Sequence, residues 1–216
     1  MKTLYESLLD DFDNIDKSID LKQIVKDWIK NNYKQTISLK ISDNPNKDGK
    51  YEVSANHVII DNRSLTSLTN DMFIWKKVGS FSCSYCKSLT SLEGAPKEVD
   101  GNFYCNNCDS LKTLEGASEE VGGNFDCSDC ASLTSLEGAP EEVGYDFSCA
   151  YCKNLISLEG APKKVGYDFN CSNCKSLTSL KGVPKKIGGA FNCSYCYSLK
   201  SYELPKETKI KGKFIK

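Results

Sequence analysis

Residues 81–102 read FSCSYCKSLTSLEGAPKEVDGN and residues 103–124 read FYCNNCDSLKTLEGASEEVGGN. The two lines superpose without a gap, and the pattern continues. C-x-x-C pairs stand at 83/86, 105/108, 127/130, 149/152, 171/174 and 193/196, each 22 residues after the last. A fixed period of this length marks a repeat architecture. Phe81, Phe103, Phe125, Phe147, Phe169 and Phe191 each precede the first Cys by two residues. Leu89, Leu111, Leu133, Leu155, Leu177 and Leu199 follow the second Cys by three, and another Leu comes three later at 92, 114, 136, 158 and 180, becoming Tyr202 at the end. Val99, Val121, Val143, Val165 and Ile187 close the units, and Ser118 once takes the place of Pro.

The alternation in F-x-C places Phe and Cys on one face of a strand of about three residues, with the intervening residue on the other face. After the second Cys the apolar spacing becomes three, and E-G-A-P supplies turn residues, so the remainder of each unit is expected to be a turn or 3₁₀-like arc. One such coil cannot bury its apolar face alone. Stacked coils put Phe on Phe, Cys on Cys and Leu on Leu in a continuous core. The expected fold is a right-handed solenoid of short parallel β-strands and turn or 3₁₀ arcs.

The unit F-x-C-x-x-C-x-x-L-x-x-L resembles the leucine-rich repeat, whose core reads L-x-L-x-x-N/C-x-x-L and whose length range includes 22 residues. It is most similar to the short repeats of bacterial and phage proteins, in which an S-L-T-S-L block recurs. The resemblance covers residues 57–216, about three quarters of the chain. It implies a leucine-rich-repeat-like solenoid. Two features depart from the family pattern: Cys stands in the strand where Leu is usual, and Val99 and its equivalents lie four residues before Phe.

The flanks extend the pattern. Residues 57–68, HVIIDNRSLTSL, align with FSCSYCKSLTSL at a shift of 24, which sets His57 under Phe81, Ile59 under Cys83 and Asn62 under Cys86. Ile210, Gly212 and Phe214 match Val99, Gly101 and Phe103. Residues 1–56 differ in composition and are expected to form a small N-terminal α/β cap. Thr3 and Glu6 make a capping box before Leu4, Leu8, Phe12 and Ile15, and a second amphipathic helix begins at Asp20 and carries Leu21, Ile24, Val25, Trp28, Ile29 and Tyr33. Residues 36–42 and 51–54 read as strands around the turn-rich DNPNKDGK.

The chain has 216 residues with 28 Lys plus Arg, 29 Asp plus Glu and a net charge of −1. That balance argues against a generic nucleic-acid binder. No apolar run approaches the ~18 residues of a membrane span, and the opening MKTLYESLLDDFD is acidic where a secretory leader would be basic, so a cytoplasmic, reducing location is expected. Two consecutive C-x-x-C pairs have zinc-site spacing, yet an even 22-residue period groups the pairs into no twos. The thiols are therefore expected to be reduced core residues, with no metal or cofactor and a zinc-stabilised array as the alternative.

His57 is the single histidine, and no nucleophile, base and orienting group assemble around it or elsewhere, so no enzyme is expected. The G-G of VGGNF and IGGAF lacks the Lys and helix of a phosphate loop. Blocks of Glu at 119, 120, 141 and 142 give way to Lys at 163, 164, 185 and 186 and read as a solvated face.

The expected function is protein binding through the outward strand face, with a structural or virion-type component as the second reading. That face comprises Ser82, Tyr104, Asp126, Ser148, Asn170 and Asn192, flanked inside each C-x-x-C by Tyr85, Asn107, Asp129, Tyr151, Asn173 and Tyr195. Tyr mixed with Ser and Asn is the chemistry of many binding surfaces. As free surface, Asp126 should cost under about 0.5 kcal/mol to replace by Ala. Residues 1–20 carry a net charge of −4 and residues 198–216 a net +4, which would favour weak head-to-tail self-association.

Overall fold

The computed structural model describes residues 21–32 and 35–216, and it is a parallel β-solenoid preceded by a short helix. The expected helix over residues 3–15 and the acidic segment 1–20 lie outside the described residues. Helix α1 (Leu21–Asn32) buries Val25 and Ile29, four residues apart on one face. Its Trp28 ring meets Phe73 edge-on at 5.6 Å, which fastens the helix to the first coil.

The strand expected over 36–42 is divided into β1 (Gln35–Ile37) and β2 (Lys40–Ile41), because Ser38 between them adopts a left-handed φ of 57°. Both pair antiparallel with β3 (Tyr51–Ile59), which continues past the boundary expected at residue 56. Between β2 and β3 the side-chain oxygen of Asn46 accepts the amides of Asp48 and Lys50 at 2.9 and 3.0 Å, closing the expected turn. β3 lies parallel to β4 (Phe73–Ser82), a ten-residue strand that starts the solenoid sheet.

The register of β3 corrects the alignment at a shift of 24. Val58, not His57, pairs with Phe81, and His57 is exposed opposite Ser80. Ile60, not Ile59, enters the core, its amide bonded to the Ser82 carbonyl at 2.8 Å. Burial of alternate apolar residues sets a strand's register, and Val58 and Ile60 have the alternation that His57 and Ile59 lack. The shift of 24 holds only beyond the strand, where the Asn62 backbone hydrogen-bonds the Cys86 thiol as expected of its equivalent position.

Each coil carries two short strands where one was expected. β5 (Glu98–Val99) and β6 (Phe103–Tyr104) both pair with β4, at Val78↔Val99 and Phe81↔Phe103. Every later coil adds one strand to each ladder, and the two ladders end at Lys209–Ile210 and Phe214–Ile215, in the positions expected of a closing partial coil. Both ladders are parallel and in register, so Val sits on Val and Phe on Phe.

The core follows from that stacking. All six Cys pairs are buried, as are Leu89 and Leu92 and their equivalents as far as Leu180. The rings of Phe125, Phe147 and Phe169 are nearly parallel, tilted by 5° and 7° and spaced 5.4 and 5.3 Å. Ser118, standing where the other coils have Pro, is itself buried and donates to the Pro96 carbonyl at 2.6 Å, so it brings no orphan hydroxyl into the stack. Gly144 lies so close to the preceding coil that a Cβ there would run into the Gly122 carbonyl oxygen. The glycines after Val are thus spacing residues, which accounts for the first glycine of the G-G motif without a phosphate.

Candidate functional site

The residues expected to face outward do so only in part. Ser82, Tyr104, Asp126, Ser148, Asn170 and Asn192 form one continuous column on the Phe ladder, but all are half-buried. Five of the six carry an oxygen that closes the next turn. Asn170 and Asn192 accept the amides of Ser172 and Ser194 at 3.0 Å, and the hydroxyls of Ser82 and Ser148 take the amides of Ser84 and Ala150 at 3.4 and 3.5 Å. The carboxylate of Asp126 accepts both the amide and the hydroxyl of Ser128, at 2.9 and 2.6 Å.

These are Asx and Ser turns. The column varies within the set of residues that can make them, with Tyr104 the exception. Asp126→Ala is accordingly expected to cost about 1 kcal/mol, above the value for free surface, because two donors lose their acceptor. Denaturant melts of the variant check this, and a loss below about 0.3 kcal/mol would return Asp126 to free surface.

The second flanking column has a backbone constraint of its own. Tyr85, Asn107, Asp129, Tyr151, Asn173 and Tyr195 all have φ between 55° and 65°. The turn between the two cysteines needs that left-handed residue so that both thiols point inward. Asn and Asp tolerate this conformation, but an aromatic side chain there is unusual. Tyr85, Tyr151 and Tyr195 are nevertheless 50%, 55% and 57% exposed. The Tyr195 ring adds Tyr197 as an edge-on neighbour at 6.2 Å.

A further column escaped the sequence reading. Asn102, Asn124, Asp146 and Asp168 stand just before the strand Phe, and each side-chain oxygen accepts the amide of its equivalent in the next coil, at 2.9, 3.0, 2.9 and 2.7 Å. The signal was present as Asn or Asp recurring at a period of 22. Beside it, Tyr145 and Tyr167 stack at 5.0 Å with their rings 6° apart, both more than half exposed.

The thiols form an internal ladder. Cys108, Cys130, Cys152, Cys174 and Cys196 each donate S–H to the carbonyl of the first Cys of the preceding coil, at 3.1 to 3.3 Å. All twelve cysteines are free. Burial pushes the Cys105, Cys127, Cys130, Cys152 and Cys171 thiols well up, and lifts Cys86 and Cys193 to about 11. Hydrogen bonding among thiols raises Cys83 and Cys174 and lowers Cys108 and Cys196. Among the described residues no three His, Cys, Asp or Glu side chains converge as a metal site would require. Five of the six second cysteines, all but Cys86, donate to a backbone carbonyl, an arrangement suited to a core thiol.

The two ladders and the thiol interior define the chain as a parallel β-solenoid with a 22-residue period. Comparison with protein-family models, curated proteins and solved structures finds no match to it. Among the described residues no helix is long and apolar enough to cross a membrane.

Proposed function

We propose that the chain is a non-enzymatic protein-interaction module of the leucine-rich-repeat type, with the short repeats of bacterial and phage proteins, working in a reducing compartment. Its contact surface is the edge where the C-x-x-C turns meet the Phe ladder. One observation carries the reading. Tyr85, Tyr151 and Tyr195 occupy left-handed backbone that Asn107 and Asn173 fill with less strain, and they hold their rings in solvent. Neither packing nor backbone preference calls for Tyr there, at a cost of roughly 1 kcal/mol each. Strain retained where it serves no fold is the mark of a functional position. Leucine-rich-repeat character is supported by the Leu89 and Leu92 columns and by the second-Cys column, which bonds to the backbone from inside the coil.

The test is the triple variant Tyr85→Asn, Tyr151→Asn, Tyr195→Asn. It is expected to melt no lower than the parent, and higher by about 2–4 °C for each kcal/mol of strain relieved. In affinity capture the parent should retain a protein that the variant loses. A variant that melts as expected and still captures the same partner would overturn the reading.

A further inference from the structure

The charged side of the coil is a separate surface from the tyrosine edge. Along the Val ladder the outward residues are, in order, Lys77, Glu98, Glu120, Glu142, Lys164, Lys186 and Lys209, with Lys77 already paired to Glu98 at 3.6 Å and to Asp100 at 2.9 Å. After Lys77, three acids are followed by three bases in adjacent rungs. A second row one residue earlier begins at Lys97 and then repeats the sense: Glu119 and Glu141, then Lys163 and Lys185. At the seam the halves neutralise each other, with Lys163–Glu141 at 2.7 Å and Lys164–Glu142 at 2.6 Å. Away from it, Glu119, Glu120, Lys185, Lys186 and Lys209 are exposed and have no opposite charge within 4.0 Å among the described residues. Glu120 instead has Glu98 and Glu142 beside it, and Lys186 has Lys164 and Lys209.

Like charges directly opposed across a ladder are unfavourable, and alternating signs would have removed the repulsion within one chain. Segregated blocks leave it for a second molecule to remove. We propose that this face docks on the same face of a second copy, antiparallel, about a two-fold axis passing between the Glu142 and Lys164 rungs. That operation sets Glu120 against Lys186 of the second copy, Glu119 against its Lys185, and Glu98 against its Lys209, with every pair made twice. The acidic half also offers a receptacle: four carboxylates, Glu98, Asp100, Glu119 and Glu120, line a groove of about 610 Å³ in which Lys97 is the one base, and the lysines of the second copy reach into it. A parallel approach would set Glu on Glu and is excluded by the same pattern.

The matched strip spans six rungs, about 24 Å at a strand spacing of about 4.8 Å, and is two residues wide. It falls short of the roughly 800 Å² per partner of a stable interface, so the dimer is weak, electrostatic and sensitive to salt.

Sedimentation equilibrium tests this with two charge-reversed variants at exposed positions, Glu119→Lys/Glu120→Lys and Lys185→Glu/Lys186→Glu. At about 0.02 M salt the parent should approach twice the monomer mass, and at about 0.5 M it should return to monomer as screening shortens. Each variant alone should stay monomeric at low salt, since its face now carries an excess of one sign. An equimolar mixture of the two should recover the dimer, because the operation again pairs unlike charges. Three results would overturn the proposal: a monomeric parent at low salt, a single variant that dimerises like the parent, or masses climbing beyond the dimer. The last would point to head-to-tail contact through the ends of the solenoid. Thermal melts of both variants confirm that the fold is kept.

Discussion

Above about pH 9 the protein is expected to lose stability steeply and to unfold near pH 10. The cause is the thiol interior. In the unfolded chain a cysteine ionises around 8.5. In the folded chain burial or thiol hydrogen bonding holds nine of them higher: Cys83, Cys86, Cys105, Cys127, Cys130, Cys152, Cys171, Cys174 and Cys193. A raised folded value means that the native state holds more protons, so this stability is complete below the unfolded value and drains away as pH rises above it. Cys108 and Cys196 are lowered, so their contribution rises with pH only up to the unfolded value and offsets none of the loss above it.

Each raised thiol removes about 1.4 kcal/mol per pH unit once its unfolded counterpart is ionised. The nine together would remove roughly 10 kcal/mol between pH 8.5 and 9.5, comparable to the whole stability of a typical domain at about 5–15 kcal/mol. Denaturant melts from pH 7 to 10.5 under reducing conditions measure the slope. Cys130→Ala should flatten it by about one proton while lowering the stability at neutral pH. Constant stability up to pH 10.5 would mean that the thiols ionise in place, and the dry thiol ladder would be wrong.

Phe147→Ala is expected to destabilise the protein by about 3–5 kcal/mol. The ring is fully buried and lies nearly parallel between Phe125 and Phe169, at 5.4 and 5.3 Å. Its removal opens a cavity against both neighbouring coils. A solenoid coil touches only the coils before and after it, so the loss cannot be recovered by repacking from elsewhere. Phe214→Ala is the internal comparison: that ring is only partly buried and stacks on Phe191 alone, at 5.0 Å. It should cost about half as much. Equal losses at the two positions would show that the stack does not behave as a chain of nearest-neighbour contacts.

The solenoid, its core columns and its closing partial coil were legible because six copies of one pattern leave little room for another period. Phe, Cys, Leu and Val recur at every 22nd position and are buried at nearly every one. Local preference could not reveal the second strand of each coil. Glu98–Val99 and its equivalents are two-residue strands, extended because the next coil supplies their partners. The first-coil register failed for a related reason. Matching letters in SLTSL favoured a shift of 24, whereas packing inside β3 selected Val58 and Ile60 for the core.

The candidate face was legible as a list of outward positions but not as a set of roles. That Asp126 closes a turn, or that Tyr85 sits at φ 65°, depends on backbone geometry imposed by two inward thiols three residues apart. The Glu and Lys blocks were visible as letters, yet only the ladder shows that they form two adjacent rows with a two-fold centre between rungs 142 and 164. The sequence by itself therefore determined which residues are buried, because burial follows composition and period. The tertiary structure decided what the exposed residues do, because neighbours 22 positions apart become rungs about 4.8 Å apart only once the coils have stacked.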